Sequence, residues 1–135
     1  MFLLDTDILS NLIKRSPSLV LIAKLASIPG EQLFTSSITL GEMVYGAYLI
    51  EVRTQLLLTR IEQVLLYSRA ILPFDDDAAQ SYGPLRAGLE RLGTPLADAD
   101  LRIASIALAR DLTVITGNVR HFNRVPGLTV ENWLE

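Results

Sequence analysis

Short apolar runs ending in polar or turn residues alternate along this chain with longer stretches of helical periodicity. That alternation constrains the fold more than any other feature. Phe2 to Asp5, Gln32 to Thr35, Ile71 to Phe74, Leu112 to Thr116 and Leu128 to Val130 read as strands. Between them, Asp7 to Lys14, Ser18 to Ser27, a segment opened by Ser36 to Thr39, Glu51 to Arg69, Asp75 to about Leu92 and Asp98 to Arg110 read as helices. Ser16-Pro17, Pro29-Gly30 and Gly93-Thr94-Pro95 are the stops. Pro73 favours an edge position for the third strand, and Gly83-Pro84 should kink its helix. Repeated strand–helix units of this kind imply a three-layer α/β/α sandwich around a mainly parallel sheet of four to five strands. No internal repeat or linker divides residues 1–135, so one domain is expected, and the length suffices for one core.

The composition removes several kinds of chemistry. With no cysteine there are no disulfides, thiolate zinc sites or thiol nucleophiles, which suits a reducing cytoplasm. The single His121 excludes a multi-histidine zinc centre. A bound metal would be held by oxygen, which points to magnesium or manganese. No apolar run approaches the roughly 20 residues of a membrane span, and Met1 leads straight into the first strand with no signal-peptide pattern. The net charge of −3 argues against nucleic-acid binding by bulk electrostatics, though not against a nuclease whose carboxylates are neutralised by cations. A mean hydropathy of +0.34 is high for a soluble domain of this size and suggests apolar surface that meets a partner.

Asp5-Thr6-Asp7 follows directly on Phe2-Leu3-Leu4, so the first strand ends by projecting carboxylates into the crevice where open α/β sheets bind ligands. Glu42, Asp100 and Asn118 fall where the same sheet would gather them. Each also has a structural reading. Thr39-Leu40-Gly41-Glu42 matches a capping box. Asp98 suits the first turn of a helix as a cap, whereas Asp100, inside that turn, has a less obvious local role. Asn118 after Gly117 suits a turn. Asp75-Asp76-Asp77 point in different directions around a helix start and read as caps. Asp7 or Thr6 can cap the first helix, which leaves Asp5 with no structural role of its own.

Three segments carry a resemblance: Leu3-Leu4-Asp5-Thr6-Asp7-Ile8-Leu9, Ser37-Ile38-Thr39-Leu40-Gly41-Glu42-Met43-Val44-Tyr45-Gly46-Ala47 and Asp98-Ala99-Asp100-Leu101-Arg102-Ile103-Ala104. Together they resemble PIN-domain ribonucleases. The ending Thr116-Gly117-Asn118-Val119-Arg120-His121-Phe122, with Val125-Pro126-Gly127-Leu128 and Glu131-Asn132-Trp133-Leu134, is similar to the VapC toxins of toxin–antitoxin pairs. The resemblance implies a PIN-like fold and a metal-dependent endoribonuclease. Asp5, Glu42 and Asp100 would be its catalytic, metal-binding core, with Mg2+ or Mn2+ as cofactor. It places Asn118 where many relatives carry an aspartate and Asp7 where asparagine is common, while Asp98 adds a nearby carboxylate. It further implies a VapB-like antitoxin whose tail lies over the active site, an RNA substrate and a homodimer. Arg86, Arg120 and His121 are candidates for contacting RNA phosphate or the leaving group. Tyr45, Tyr48, Leu49 and the Glu51 to Arg69 helix are candidate partner surface.

Two rival readings stand beside this one. Asp5-x-Asp7 also resembles the aspartyl-phosphate motif of haloacid dehalogenase-like phosphatases, with Asp5 as nucleophile and Asp7 as acid/base. There Leu9 stands where Thr or Val is expected, and Lys14 and Lys24 come too early. The other rival is a catalytically inactive binding module, which the presence of Asp5, Glu42 and Asp100 weighs against.

Overall fold

The structure, a computed structural model, describes residues 1–135. Five strands form one all-parallel sheet: β1 (Phe2–Leu4), β2 (Leu33–Ser36), β3 (Ala70–Leu72), β4 (Thr113–Ile115) and β5 (Val130–Glu131). Their order across the sheet is β3-β2-β1-β4-β5. Connections from β1 step outward to β2 and β3, and the chain then crosses back to lay β4 on the other side of β1. The order therefore reverses between β1 and β4, the place where such sheets open a crevice at the carboxyl ends of their strands.

Seven helices cover the sheet: α1 (Thr6–Ile13), α2 (Leu19–Ala26), α3 (Ser37–Leu49), α4 (Thr54–Leu65), α5 (Asp76–Arg91), α6 (Asp98–Arg110) and α7 (Val119–Phe122). The alternation of side chains along a strand divides the core in two. Leu4 and Ile115 pack with Ile8, Leu21, Met43 and Ile61 beneath α1 to α4. Leu3 and Val114 face the other way, against Ile103, Ile106 and Phe122 under α5 to α7. Both strands are buried on two faces, which is why they read as continuous apolar runs.

Several local expectations shift. Gln32 lies in a 3-10 turn at Gly30–Gln32 rather than in β2. The long helix expected from Glu51 to Arg69 is a 3-10 turn at Glu51–Arg53 followed by the shorter α4, whose first residue Thr54 donates its hydroxyl to the Ala47 carbonyl and ties α4 back to α3. Helix α5 runs uninterrupted through Gly83-Pro84. β3 is an edge strand, and Pro73 falls just beyond it, where no ladder partner is needed. No helix is long and apolar enough to cross a membrane.

Candidate active site

Asp5 has a structural role after all. Its backbone N–H extends the sheet by donating to the Ile115 carbonyl at 2.9 Å, and its side chain then caps α1, accepting from the Thr6 N–H at 2.7 Å. The expectation that Asp7 or Thr6 caps this helix is thus corrected. Capping occupies one carboxylate oxygen. The other, Oδ2, accepts from the Thr116 hydroxyl at 2.8 Å, so residues 111 positions apart hold the group from both sides. Asp5 is 4 % exposed. Burial, and next the charge of Asp7, push its carboxyl up from the ordinary 3.8 to about 7, against the opposing bonds from Thr116 and Thr6.

Asp7 joins the same group. It lies in the first turn of α1, half-buried, and its Oδ2 accepts from the Gly117 N–H at 2.8 Å while Oδ1 sits 3.5 Å from the Thr116 hydroxyl. Burial raises its pKa as well, opposed by the Gly117 amide. This approach requires glycine at 117: a Cβ there would lie 2.8 Å from the Asp7 carboxylate and 3.0 Å from Leu134.

Glu42 arrives from α3. That helix begins at Ser37 and is capped by Ser36, whose hydroxyl accepts from the Thr39 N–H at 3.1 Å. Glu42 is therefore inside the helix and not part of a capping box. Its Oε1 accepts from the Thr6 hydroxyl at 2.6 Å, and the buried Thr39 hydroxyl lies 3.1 Å from that same Thr6 oxygen. Asp100, half-buried in the first turn of α6, has its carboxyl raised by burial and by the charges of Glu42 and Asp7, with His121 pulling the other way. Asp5, Asp7, Glu42 and Asp100 thus come from both sides of the sheet to the switch between β1 and β4.

No arginine or lysine answers this charge. The ion pairs of the molecule join Arg86 to Glu90 and Asp98, Arg102 to Asp98, and Arg110 to Asp75, all outside the group. The carboxylates do not close into a three-ligand cage. An all-oxygen, anionic and open donor set of this kind fits a hard cation such as Mg2+, which keeps several waters and binds through one or two carboxylates plus substrate oxygen.

The remaining candidates are placed differently. Asp98 is not the cap of α6: Ala97 holds that position without a side-chain bond, and Asp98 is instead captured by the Tyr82 hydroxyl at 2.5 Å and Arg102 Nε at 2.7 Å. Those bonds hold its pKa below the usual range. Arg86 belongs to the same clasp between α5 and α6, donating to Tyr82 and Glu90. Asn118 occupies the N-cap position of α7 but makes no side-chain capping bond, and its N–H donates to the Thr116 hydroxyl at 2.9 Å. Arg120 and His121 are exposed on the last turn of α7. Asp75 is the cap of α5, bonded to the Ala78 N–H at 3.0 Å, with Asp76 and Asp77 in the first turn. Thr6, Thr39, Thr116 and Gly117 were not singled out as site residues from sequence. Their only local signal is that Thr116 follows directly on a buried strand and Thr6 and Gly117 stand two residues beyond one.

An open parallel sheet with an acidic centre at its switch point defines the class: a three-layer α/β fold that gathers carboxylates at the carboxyl ends of its strands. The chain belongs to the PIN-domain family, whose model matches residues 2–128. It is 35% identical over 132 residues to the tRNA(fMet)-specific endonuclease VapC of Salmonella typhimurium, covering 98% of this chain and 97% of that protein. It is 33% identical over 126 residues to toxin FitB of Neisseria gonorrhoeae, covering 90% and 91%. Among solved structures, VapBC2 from Rickettsia felis bound to a promoter DNA fragment superposes with a TM-score of 0.90 at 30% identity, covering 98% of each chain.

Proposed function

We propose that this protein is a metal-dependent endoribonuclease, the toxin of a type II toxin–antitoxin pair, acting on cellular RNA in the cytoplasm. The observation that carries the reading is the group of carboxylates at the β1–β4 switch, with Asp5 buried, Asp7 and Asp100 half-buried and Glu42 exposed beside them, and no arginine or lysine ion-paired to any of them. Membership of the PIN family and VapC relatives along nearly the whole chain support it.

Asp5, Glu42 and Asp100 would hold the ion, with Asp7 close enough to assist. Bound there, Mg2+ or Mn2+ supplies Lewis-acid polarisation of the phosphodiester and a water of lowered pKa. The protein's own part is positional. Thr116 and the start of α1 fix the two oxygens of Asp5, the Gly117 amide aims Asp7, and the Thr6 hydroxyl turns Glu42 toward the group. His121, whose charge is felt at Asp100, and Arg120 beside it would meet phosphate or the leaving group.

A VapB-like antitoxin and a homodimer follow from the same reading. The structural neighbours include VapBC and FitAB complexes. Tyr45, Tyr48, Leu49, Val52 and Leu56 are exposed along α3, the 3-10 turn after it and α4, which supplies apolar surface for association. The test is cleavage of RNA by the purified protein with Mg2+ or Mn2+, beside Asp5→Asn and Asp100→Asn. Equal cleavage by wild type and both variants would sink the assignment.

A further inference from the structure

The molecule is acidic overall, yet four of its twelve basic side chains meet in one cleft. Lys14 and Arg15 follow the end of α1, Arg53 comes from the 3-10 turn after α3, and Arg60 from α4. With Ser10, Ile13, Leu56 and Leu57 they line a space of about 630 Å³ that includes no Asp or Glu. None of the four takes part in the molecule's ion pairs. Lys14 and Arg15 alone would be explained as cations complementing the negative end of α1. That does not explain Arg53 and Arg60, which reach the same place from segments some forty residues on. Arg60 has one structural bond, Nη1 to the Ile13 carbonyl at 3.2 Å, which joins the two walls. The other three cations are exposed and face open space.

The cleft borders on a hollow that reaches the candidate site at Glu42. This hollow, of about 180 Å³, is lined by Ser10, Ile13 and Leu57, shared with the basic cleft, and by Glu42, Met43, Gly46, Ala47 and Ile61. Glu42 of the candidate site is thus among the residues that line it. Helix α1 spans the interval, with Asp5 at its start and Lys14 at its end. At about 1.5 Å rise per residue that is roughly 14 Å, or about four stacked nucleotide steps at roughly 3.4 Å each.

We infer that the cleft of Lys14, Arg15, Arg53 and Arg60 is a remote phosphate-binding subsite that holds the RNA strand about four nucleotides from the bond cut at the carboxylates. An acidic centre gives a polyanion little grip of its own beyond Arg120 and His121, and these four cations gather in a cleft that borders on it. The inference rests on the endoribonuclease reading.

The test compares wild type with Lys14→Gln/Arg15→Gln/Arg53→Gln, and with Arg53→Gln alone in case the triple variant folds poorly. Arg60 is kept for its bond to Ile13. Binding of an unstructured RNA of about a dozen nucleotides, within the usual site size of single-strand binders, is measured by fluorescence anisotropy across a salt series, with Asp100→Asn added to both to stop cleavage. We expect the triple variant to bind about tenfold more weakly near 0.1 M salt and to show a salt slope shallower by about 2, since each lost phosphate contact removes about 0.7. Arg53→Gln should show part of both effects, while Arg91→Gln, at the end of α5, should show neither. In proteins with Asp100 intact, the triple variant's cleavage defect should grow with substrate length and nearly vanish on a trinucleotide, too short to reach the cleft.

Unchanged affinity and slope, with wild-type cleavage intact, would overturn the subsite and leave the nuclease standing. A defect equal on trinucleotide and long RNA would also overturn it. So would intact RNA binding with lost binding of an oligo-glutamate peptide, which would give the cleft to a protein partner. If the wild type neither binds nor cuts RNA, the nuclease reading fails and the subsite with it.

Discussion

Two acidic neighbourhoods of this molecule have opposite electrostatics. At the start of α5 and along its contact with α6, Asp75 and Asp98 are exposed or nearly so, bonded to Arg110, Arg102 and Tyr82, and held below their ordinary pKa. At the β1–β4 switch, Asp5, Asp7 and Asp100 are raised by burial and, at Asp5 and Asp100, by one another's company. The first set is charge satisfied by its neighbours, which is what structure needs. The second is charge that no arginine or lysine answers, which disfavours the folded state and is what a site for an external cation would retain. Density of aspartates in the sequence is therefore a poor guide: the Asp75-Asp76-Asp77 run is a helix start.

The sharpest way to break the contrast is to neutralise one carboxylate of the unanswered set. Asp5→Asn and Asp100→Asn should each lower kcat/KM for RNA by about a thousandfold, on the scale of several kcal/mol that a bound metal contributes to the transition state. Asp7→Asn, whose amide keeps an acceptor for Gly117, should lose about ten- to a hundredfold, as should Thr116→Val, which frees Asp5 Oδ2. If Asp7→Asn is as severe as Asp5→Asn, Asp7 is a ligand in its own right.

Stability should move the other way from activity. The unfolded Asp5 carboxyl titrates near 3.8 and the folded one at about 7. Between those values the native state holds a proton that the unfolded chain has released, so stability falls as pH rises through that window. The loss attributable to Asp5 is at most about 4 kcal/mol once pH exceeds 7. Metal-free protein should therefore melt lower at pH 8 than at pH 5, and Asp5→Asn should flatten that profile. Added Mg2+ or Mn2+ should raise Tm most at pH 8, an effect absent in Asp100→Asn. A Tm indifferent to metal at every pH would mean that the cluster is not tolerated for the sake of a cation.

What sequence could reveal follows from how far each interaction reaches. The α/β/α layering and the parallel sheet were legible because each depends on periodicities within a segment, and β1 and β4 announce burial on both faces by unbroken apolar runs. Local cap signals mislead where a long-range partner competes with the local one. Thr39-x-x-Glu42 has the capping spacing, but Ser36 starts α3 three residues earlier and Glu42 is taken by Thr6. Asp98 sits where a cap belongs, yet Tyr82 from α5 and Arg102 one turn on bind it. The support of Asp5 by Thr116 and of Asp7 by the Gly117 amide exists only once β4 lies beside β1. No spacing within either segment encodes that pairing.

The smallest expected effects lie in the compensated region, and they test the contrast from its other side. Asp98 is about half exposed, and its pairs with Arg102 and Arg86 are solvated. Asp98→Asn should therefore cost about 1 kcal/mol or less despite three polar neighbours, and RNA cleavage should stay within about threefold of wild type, the change expected of a surface pair rather than a ligand. Its carboxylate is near Asp100 in sequence but committed to Tyr82 and Arg102 in space, so neutralising it takes nothing from the metal group. A hundredfold loss in Asp98→Asn with unchanged Tm would place this side chain in the site, and would show that an arginine-paired carboxylate can still serve it. Retained cleavage with a slightly lower Tm would instead fix the boundary of the site between residues 98 and 100, two positions along one helix turn.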